Sequence, residues 1–281
     1  LQALFEGRYA RADKHAGDAL ENGAAVALAS LIGARAAQRR RDFKRRDEWL
    51  ERARAAEPEW RNARLSVEAE LLAEERRFDD AKKLLVELHA GGLRHLSSQQ
   101  LLLRCEQALG NWDEVVRLAH QLAKRNALTA DALEGVVTSA NIAQISGLSN
   151  DAAGLNQYWK RLAFDQRVRP RTAAAAARAF MQLSDYGAAC RLLKDALESA
   201  WEPELLRIYG ECASPDVVAH IEQAERWLNA HSQDANLLRL LGKLCLESGL
   251  WGKAQSYLEA SLAIEATRAT HISLGRLFDS I

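Results

Sequence analysis

The side chains of this 281-residue chain that could do chemistry are few and dispersed. Seven histidines are spread along it, and the four cysteines, Cys105, Cys190, Cys212 and Cys245, stand singly with no C-x-x-C pair. Neither a zinc site nor a disulfide framework is expected from that spacing, and a reducing compartment fits it best. His89 and His95 flank "AGGLR" and could be a metal or haem pair. The plainer reading is a helix end, a glycine turn and two exposed imidazoles, because a metal needs further ligands and none is near in sequence. His120 reads as a packing or surface residue of a helix. The chain has no G-x-S-x-G, no phosphate-cradling glycine loop, no H-E-x-x-H and no G-x-G-x-x-G. No catalytic residue, no metal and no enzymatic activity are therefore expected.

Anion recognition is the other chemistry open to the chain, and its positions follow from the elements that carry it. In "LCLESGLWGKAQSYLEASLAIEA", Gly249, Trp251 and Ala254 stand in an order that recurs as Gly7, Tyr9 and Ala12. Phe78 with Ala81, Gly110 and Trp112 with Val115, and Tyr186 with Ala189 repeat it. Phe43 with Arg46 departs from the small residue, although Pro58 follows at the expected turn. The small-residue position falls at 12, 46, 81, 115, 189 and 254, with gaps of 34, 35, 34, 74 and 65. The fourth gap holds two slightly long units. The last holds one short unit around "HIEQAERWLNAHSQD". A period near ~34 is that of the tetratricopeptide repeat, TPR.

The physical logic is direct. Each unit is a helix A and a helix B; the aromatic starts B and packs on A, and the small residue lets the two approach closely. No unit buries its apolar face alone, so neighbours stack. The expected fold is all-α, a right-handed TPR-like α-solenoid of antiparallel helix pairs. Residues 1–128 read as an N-terminal sub-array, 129–169 as an irregular helix pair and boundary with a loop at 146–151, and 170–281 as a C-terminal sub-array. Leu241 and Gly242 hold helix-A motif positions, which Leu274 and Gly275 repeat in a final helix A. Trp49, Trp60, Trp112, Trp201, Trp227 and Trp251 fall at framework or boundary positions and read as core.

Counting back from each small residue gives the helix-A positions that face a groove. One row reads Arg35, Glu70, Arg104, Arg178 and Lys243, with Gln38, Gln100, Asn236 and Arg239 beside it. Arginine suits carboxylates and phosphates because its donors form a planar fork. The row is a candidate groove for an acidic peptide or an anionic small molecule, with a solvated charged face as the plain alternative. In "RRRDFKRR", the six basic residues Arg39, Arg40, Arg41, Lys44, Arg45 and Arg46 crowd one A–B turn. They form a candidate membrane-surface patch if an anchor precedes them, and otherwise a solvated turn partly neutralised by Asp42 and Asp47.

Bulk composition narrows the classes further. Lys and Arg total 38, as do Asp and Glu, and 48% of residues are hydrophobic. Zero net charge argues against a bulk nucleic-acid or membrane-coating role, and no nucleic-acid partner is expected. Four prolines and 16 glycines in 281 residues favour helix nearly everywhere. The sequence has no run of ~18 apolar residues of the kind that spans a membrane, and no signal peptide is expected in it. The chain opens with "LQALFEGRYARA", partway through a helix pair, and reads as a piece of a longer protein.

"LFEGRYARADKHA", "RRRDFKRRDEWLERA", "LNQYWKRL" and above all "LLRLLGKLCLESGLWGKAQSYLEASL" resemble the HemY family, bacterial inner-membrane TPR proteins linked to late haem and porphyrin metabolism. The resemblance covers nearly the whole chain, with "LWGKA" its most specific piece. It implies two transmembrane helices upstream, a repeat domain facing the cytoplasm and association with haem-pathway enzymes, without an established catalytic activity. A membrane-tethered scaffold is the leading expectation. A porphyrin or haem carrier using single histidines or Met181 is one alternative. A TPR regulator of envelope assembly is the other, although those proteins typically end in a zinc-binding cysteine module that this sequence lacks.

Overall fold

A computed structural model describes residues 1–23, 25–56, 60–92, 94–212 and 217–280. Pro58 and Leu93 lie outside the described residues. The chain divides into two units, Leu1–Val137 and Thr138–Ile281. No strand occurs among the described residues, and each unit is a TPR-like stack of helix pairs.

The first unit holds α1 (Gln2–Phe5), α2 (Tyr9–Glu21), α3 (Val26–Arg39), α4 (Phe43–Ala55), α5 (Arg61–Glu74), α6 (Phe78–Ala90), α7 (Leu96–Leu109), α8 (Trp112–Lys124) and the start of α9 (Ala130–Gly147). The second holds the rest of α9, then α10 (Ala152–Arg161), α11 (Phe164–Arg167), α12 (Pro170–Gln182), α13 (Tyr186–Ser199) and α14 (Pro203–Glu211). It ends with α15 (Val217–Leu228), α16 (Ala235–Glu247), α17 (Trp251–Ile264) and α18 (Arg268–Ser280). The short unit expected around "HIEQAERWLNAHSQD" is α14 and α15, of 9 and 12 residues. The division at Val137 falls inside α9.

The A–B turns share one backbone device. Gly7, Arg41, Arg76, Gly110, Ser184 and Gly249 all take a left-handed conformation, with φ between 59° and 75°. The next residue in each case donates its N–H to the carbonyl five residues back, from Asp42 to Ala37 and from Leu250 to Cys245, at 2.8–3.0 Å. This is the Schellman closure of a helix, which satisfies carbonyls that the helix end would orphan. The aromatic two residues after the left-handed residue then opens helix B. It is not the core residue expected from the sequence at every turn: Phe43 and Trp251 are exposed, whereas Tyr9, Phe78, Trp112 and Tyr186 are half-buried, Tyr186 against the core of the second unit. The ring folds back over the turn instead, so that a β-carbon on Gly249 would meet Trp251 Cζ2 at 3.9 Å. Asp42, Asp185 and Asp234 add side-chain caps to α4, α13 and α16.

The small residues behave as the pattern requires. Ala12, Ala81, Val115, Ala189 and Ala254 are all buried at the A–B seam. Trp49, on α4, is fully buried beside Leu31, Ala34 and Ala37 of α3, and its indole N–H donates to Asp13 Oδ1 at 2.7 Å. In the second unit the core runs from Leu155 and Phe180 through Leu193, Leu205 and Leu241 to Leu258 and Leu277. Each such leucine contributes ~1.5–3 kcal/mol of transfer free energy when buried. Because consecutive A helices also touch, α3 to α5 to α7 in one unit and α12 to α14 to α16 to α18 in the other, their remaining faces form continuous surfaces.

The A-helix faces as a candidate partner site

In the first unit, Arg35 of α3 is ion-paired with Glu70 of α5, and one turn on Arg39 pairs with Glu74 at 3.0 Å. These two rungs sit in a cavity of about 370 Å³ whose remaining wall is Leu4, Phe5, Tyr9 and Leu71. Burial pushes the Glu70 carboxyl above its usual range, outweighing the pull of Arg35, and the neighbouring Glu74 charge adds to the rise. Gln100 and Arg104 lie one turn apart on α7, both exposed, and Arg104 has no carboxylate partner among the described residues.

Gln38 does not reach this face. It is buried, and its Oε1 accepts from Arg46 Nη1 at 2.9 Å, which turns the amide toward helix B. Arg46 itself occupies the slot that other repeats give to alanine. Its buried guanidinium also meets Glu75, and Asp47 at 2.7 Å, while Phe43 lies beneath it at 5.2 Å. A charge held inside by carboxylates cannot sit on a lipid surface, so Arg46 leaves the membrane patch. Three more of the six are neutralised: Arg39 by Glu74, Arg40 by Asp13 at 3.3 Å, and Arg45 by Asp13 at 3.6 Å and Glu48 at 3.3 Å. Arg41 and Lys44 are exposed and make no ion pair among the described residues.

In the second unit, Arg178 of α12 is ion-paired with Glu204 of α14, and Arg207 grips the same carboxylate at 2.9 Å. Arg207, then Arg178, hold the Glu204 carboxyl down at about 2. Lys243 of α16 donates to the Gly210 carbonyl of α14 at 3.1 Å, with Glu247 at 3.7 Å. A β-carbon on Gly210 would stand 2.5 Å from Leu240 Cδ1, so the glycine permits this close approach of α14 and α16. The result is a cleft of about 230 Å³ floored by Leu206 and Leu240 and edged by Asn236, Arg239, Lys243 and the ion-paired Arg207 and Glu211. Arg239 is half-buried, donates only to Asn236 Oδ1 at 3.3 Å, and has no carboxylate partner among the described residues. Three of the residues that the repeat register selects, Asn236, Arg239 and Lys243, are thus brought together on one cleft. Sequence spacing placed Arg178 in the same row as Lys243 but hid its partner, since Glu204 belongs to the short unit.

The histidines offer no site of their own. His89 Nε2 is 2.9 Å from Ser98 Oγ, which in turn donates to the His95 carbonyl, and burial, then Arg94, lowers the His89 pKa. His231 stacks on Trp201 at 3.7 Å between centroids. No group of three or more His, Cys, Asp or Glu side chains among the described residues is arranged so that it could hold a metal ion. A cluster that spacing did not reveal does form, from Cys190, Cys212 and His220; the cysteines are separated by 22 residues, and no short motif could have flagged them.

No family model matches the chain, and no curated protein matches it. Among solved structures, it is similar to a chain of the Naa15/Naa10 complex bound to HypK-THB, at 12% identity and TM-score 0.41, over 99% of this chain and 49% of that one. The chain therefore spans about half the length of that structure. It is also similar to the TPR2AB domain of yeast Sti1 in its pHSP90 complex, at 13% identity and TM-score 0.38, over 90% and 96% of the two chains. A tetratricopeptide repeat protein from Parabacteroides merdae follows at 14% identity and TM-score 0.34, over 96% and 98%. No helix among the described residues is long and apolar enough to cross a membrane.

Proposed function

We propose that this chain is a non-catalytic interaction scaffold whose A-helix faces hold acidic segments of partner proteins. The observation that carries this reading is the cleft of the second unit, where the Arg239 guanidinium stands over an apolar floor with no carboxylate partner among the described residues, beside a Lys243 ammonium shared between Glu247 and the Gly210 carbonyl. A guanidinium left without a carboxylate in a partly desolvated cleft is a ready site for one supplied from outside. The paired rungs Arg35–Glu70 and Arg178–Glu204 set register and stiffness rather than binding an anion.

The resemblance of "LLRLLGKLCLESGLWGKAQSYLEASL" to the HemY family supports a finer form of the proposal. The repeats face the cytoplasm from the bacterial inner membrane, tethered by a segment outside this chain, and gather enzymes of late haem synthesis. The same basic cleft suits porphyrin propionates. Co-purification of the membrane-anchored full-length protein, with mass-spectrometric identification of what accompanies it, tests both levels. Recovery of haem-pathway enzymes that is lost on Arg239→Glu is expected. Recovery unaffected by that change overturns the cleft, and a partner set without haem-pathway enzymes overturns the finer form.

A further inference from the structure

Cys190 lies in the second turn of α13 and Cys212 caps the C-terminus of α14, and their sulfurs are 2.7 Å apart. A small shift converts that separation into the ~2.05 Å of a covalent bond. His220 of α15 brings Nε2 to 3.1 Å from Cys190 Sγ, and Tyr209 packs against the other side of the imidazole with ring centroids 4.5 Å apart. The three groups differ in access: Cys190 is half-buried, whereas Cys212 and His220 are buried. Cys212 also contacts the Tyr186 carbonyl at 3.4 Å, which fixes its sulfur toward α13. By contrast, Cys105 and Cys245 are fully buried, and burial raises both thiols above their ordinary range.

We propose that Cys190 and Cys212 are a reversible thiol–disulfide site, oxidised by low-molecular-weight disulfides, with Cys190 attacking and Cys212 resolving. The half-buried Cys190 is the sulfur a small disulfide reaches, and His220 is placed to take its proton. The Cys190 thiolate attacks one sulfur of the small disulfide; a mixed disulfide forms, the original S–S bond breaks, and the departing thiolate takes the proton held by His220. The Cys212 sulfur then attacks Cys190 Sγ, the Cys190–Cys212 bond forms, the mixed bond breaks, and the second small thiolate leaves with the proton of Cys212. Two protein thiols are oxidised and one small disulfide is reduced to two thiols. The direction of attack has electrostatic support: hydrogen bonding from Cys212, then His220, holds the Cys190 thiol below its usual range, while Cys212 is pushed up by the same contact and by burial.

Oxidation would tie α13 to the end of α14 within one unit, so the site needs no partner to close. The test is to equilibrate the whole chain in glutathione buffers of stepped oxidised-to-reduced ratio, quench with acid, alkylate under denaturing conditions and map the peptides by mass spectrometry. The expected result is loss of two alkylatable thiols of the four, located at Cys190 and Cys212, with Cys105 and Cys245 always alkylated. Cys212→Ser should stop at a glutathione adduct on Cys190, and Cys190→Ser should leave Cys212 a free thiol. His220→Asn should slow adduct formation at neutral pH without changing which residues pair. Circular dichroism of each variant separates loss of chemistry from loss of fold. Four thiols persisting across all ratios, or a glutathione adduct that survives on Cys190 in the unmodified chain, would overturn the proposal.

Discussion

Gly242 on α16 faces Leu258 on α17 so closely that a β-carbon on the glycine would stand 2.5 Å from Leu258 Cγ and 3.3 Å from the Ala254 carbonyl oxygen. Gly275, the equivalent position on α18, has nothing within 4 Å of such a carbon. One sequence motif therefore predicts opposite outcomes. Gly242→Ala should destabilise by ~1–3 kcal/mol, as overpacking does. Gly275→Ala should stabilise by ~0.5–1 kcal/mol, the ordinary helix gain over glycine. Urea unfolding midpoints of the two variants check the pair.

The left-handed turn residue makes a reciprocal prediction. Ser184 holds φ at 61°, where an L side chain is strained, and Gly249 holds the equivalent place at 71° without that strain. Ser184→Gly should raise stability by ~0.5–1 kcal/mol and Gly249→Ser should lower it by a similar amount. Thermal unfolding of both variants, read against the unmodified chain, tests it.

Arg46 and Lys44 are neighbours in a basic run, yet only one is structural. Arg46→Ala removes the partner of Glu75 and Gln38 inside the fold. Stranding the half-buried Glu75 carboxylate costs ~1–3 kcal/mol. Lys44→Ala, at an exposed position, should change stability by less than ~0.5 kcal/mol. Denaturant midpoints that shift equally for both would show that Arg46 is a surface residue after all.

The Arg178–Glu204–Arg207 cluster gives the pH dependence. The folded Glu204 carboxyl sits at about 2, below its ordinary 4.5, so the unfolded chain binds that proton more readily. Its contribution is fully present above 4.5 and is lost as pH falls through about 2. Acid unfolding curves of the unmodified chain and Glu204→Gln should therefore differ most near neutral pH and converge across that window. Because Glu204 is solvent-exposed, salt should shrink the difference.

The helix pairs were legible in the sequence because one local rule places both the turn and the seam. Gly110, Trp112 and Val115 carry it, and so do Gly249, Trp251 and Ala254. The exposure of Phe43 and Trp251 was not, since a ring that covers a left-handed turn and a ring that leans on the core occupy the same sequence slot. The register of Arg178 and Lys243 was readable, but not the carboxylate on Arg178, because Glu204 sits in a unit with no repeat signature. Arg46 looked like part of a cationic surface until Gln38 and Glu75 appeared around it. Cys190 and Cys212 were invisible as a pair, because only the fold-back of α13 onto α14 joins them.

Calorimetric titration of a glutamate-rich peptide into the chain and into Arg239→Glu tests the central claim most directly. The account predicts saturable binding to the unmodified chain that weakens with salt, and at least a tenfold loss in the variant, about 1.4 kcal/mol. Equal affinity of the two proteins, or no binding to either, would contradict it.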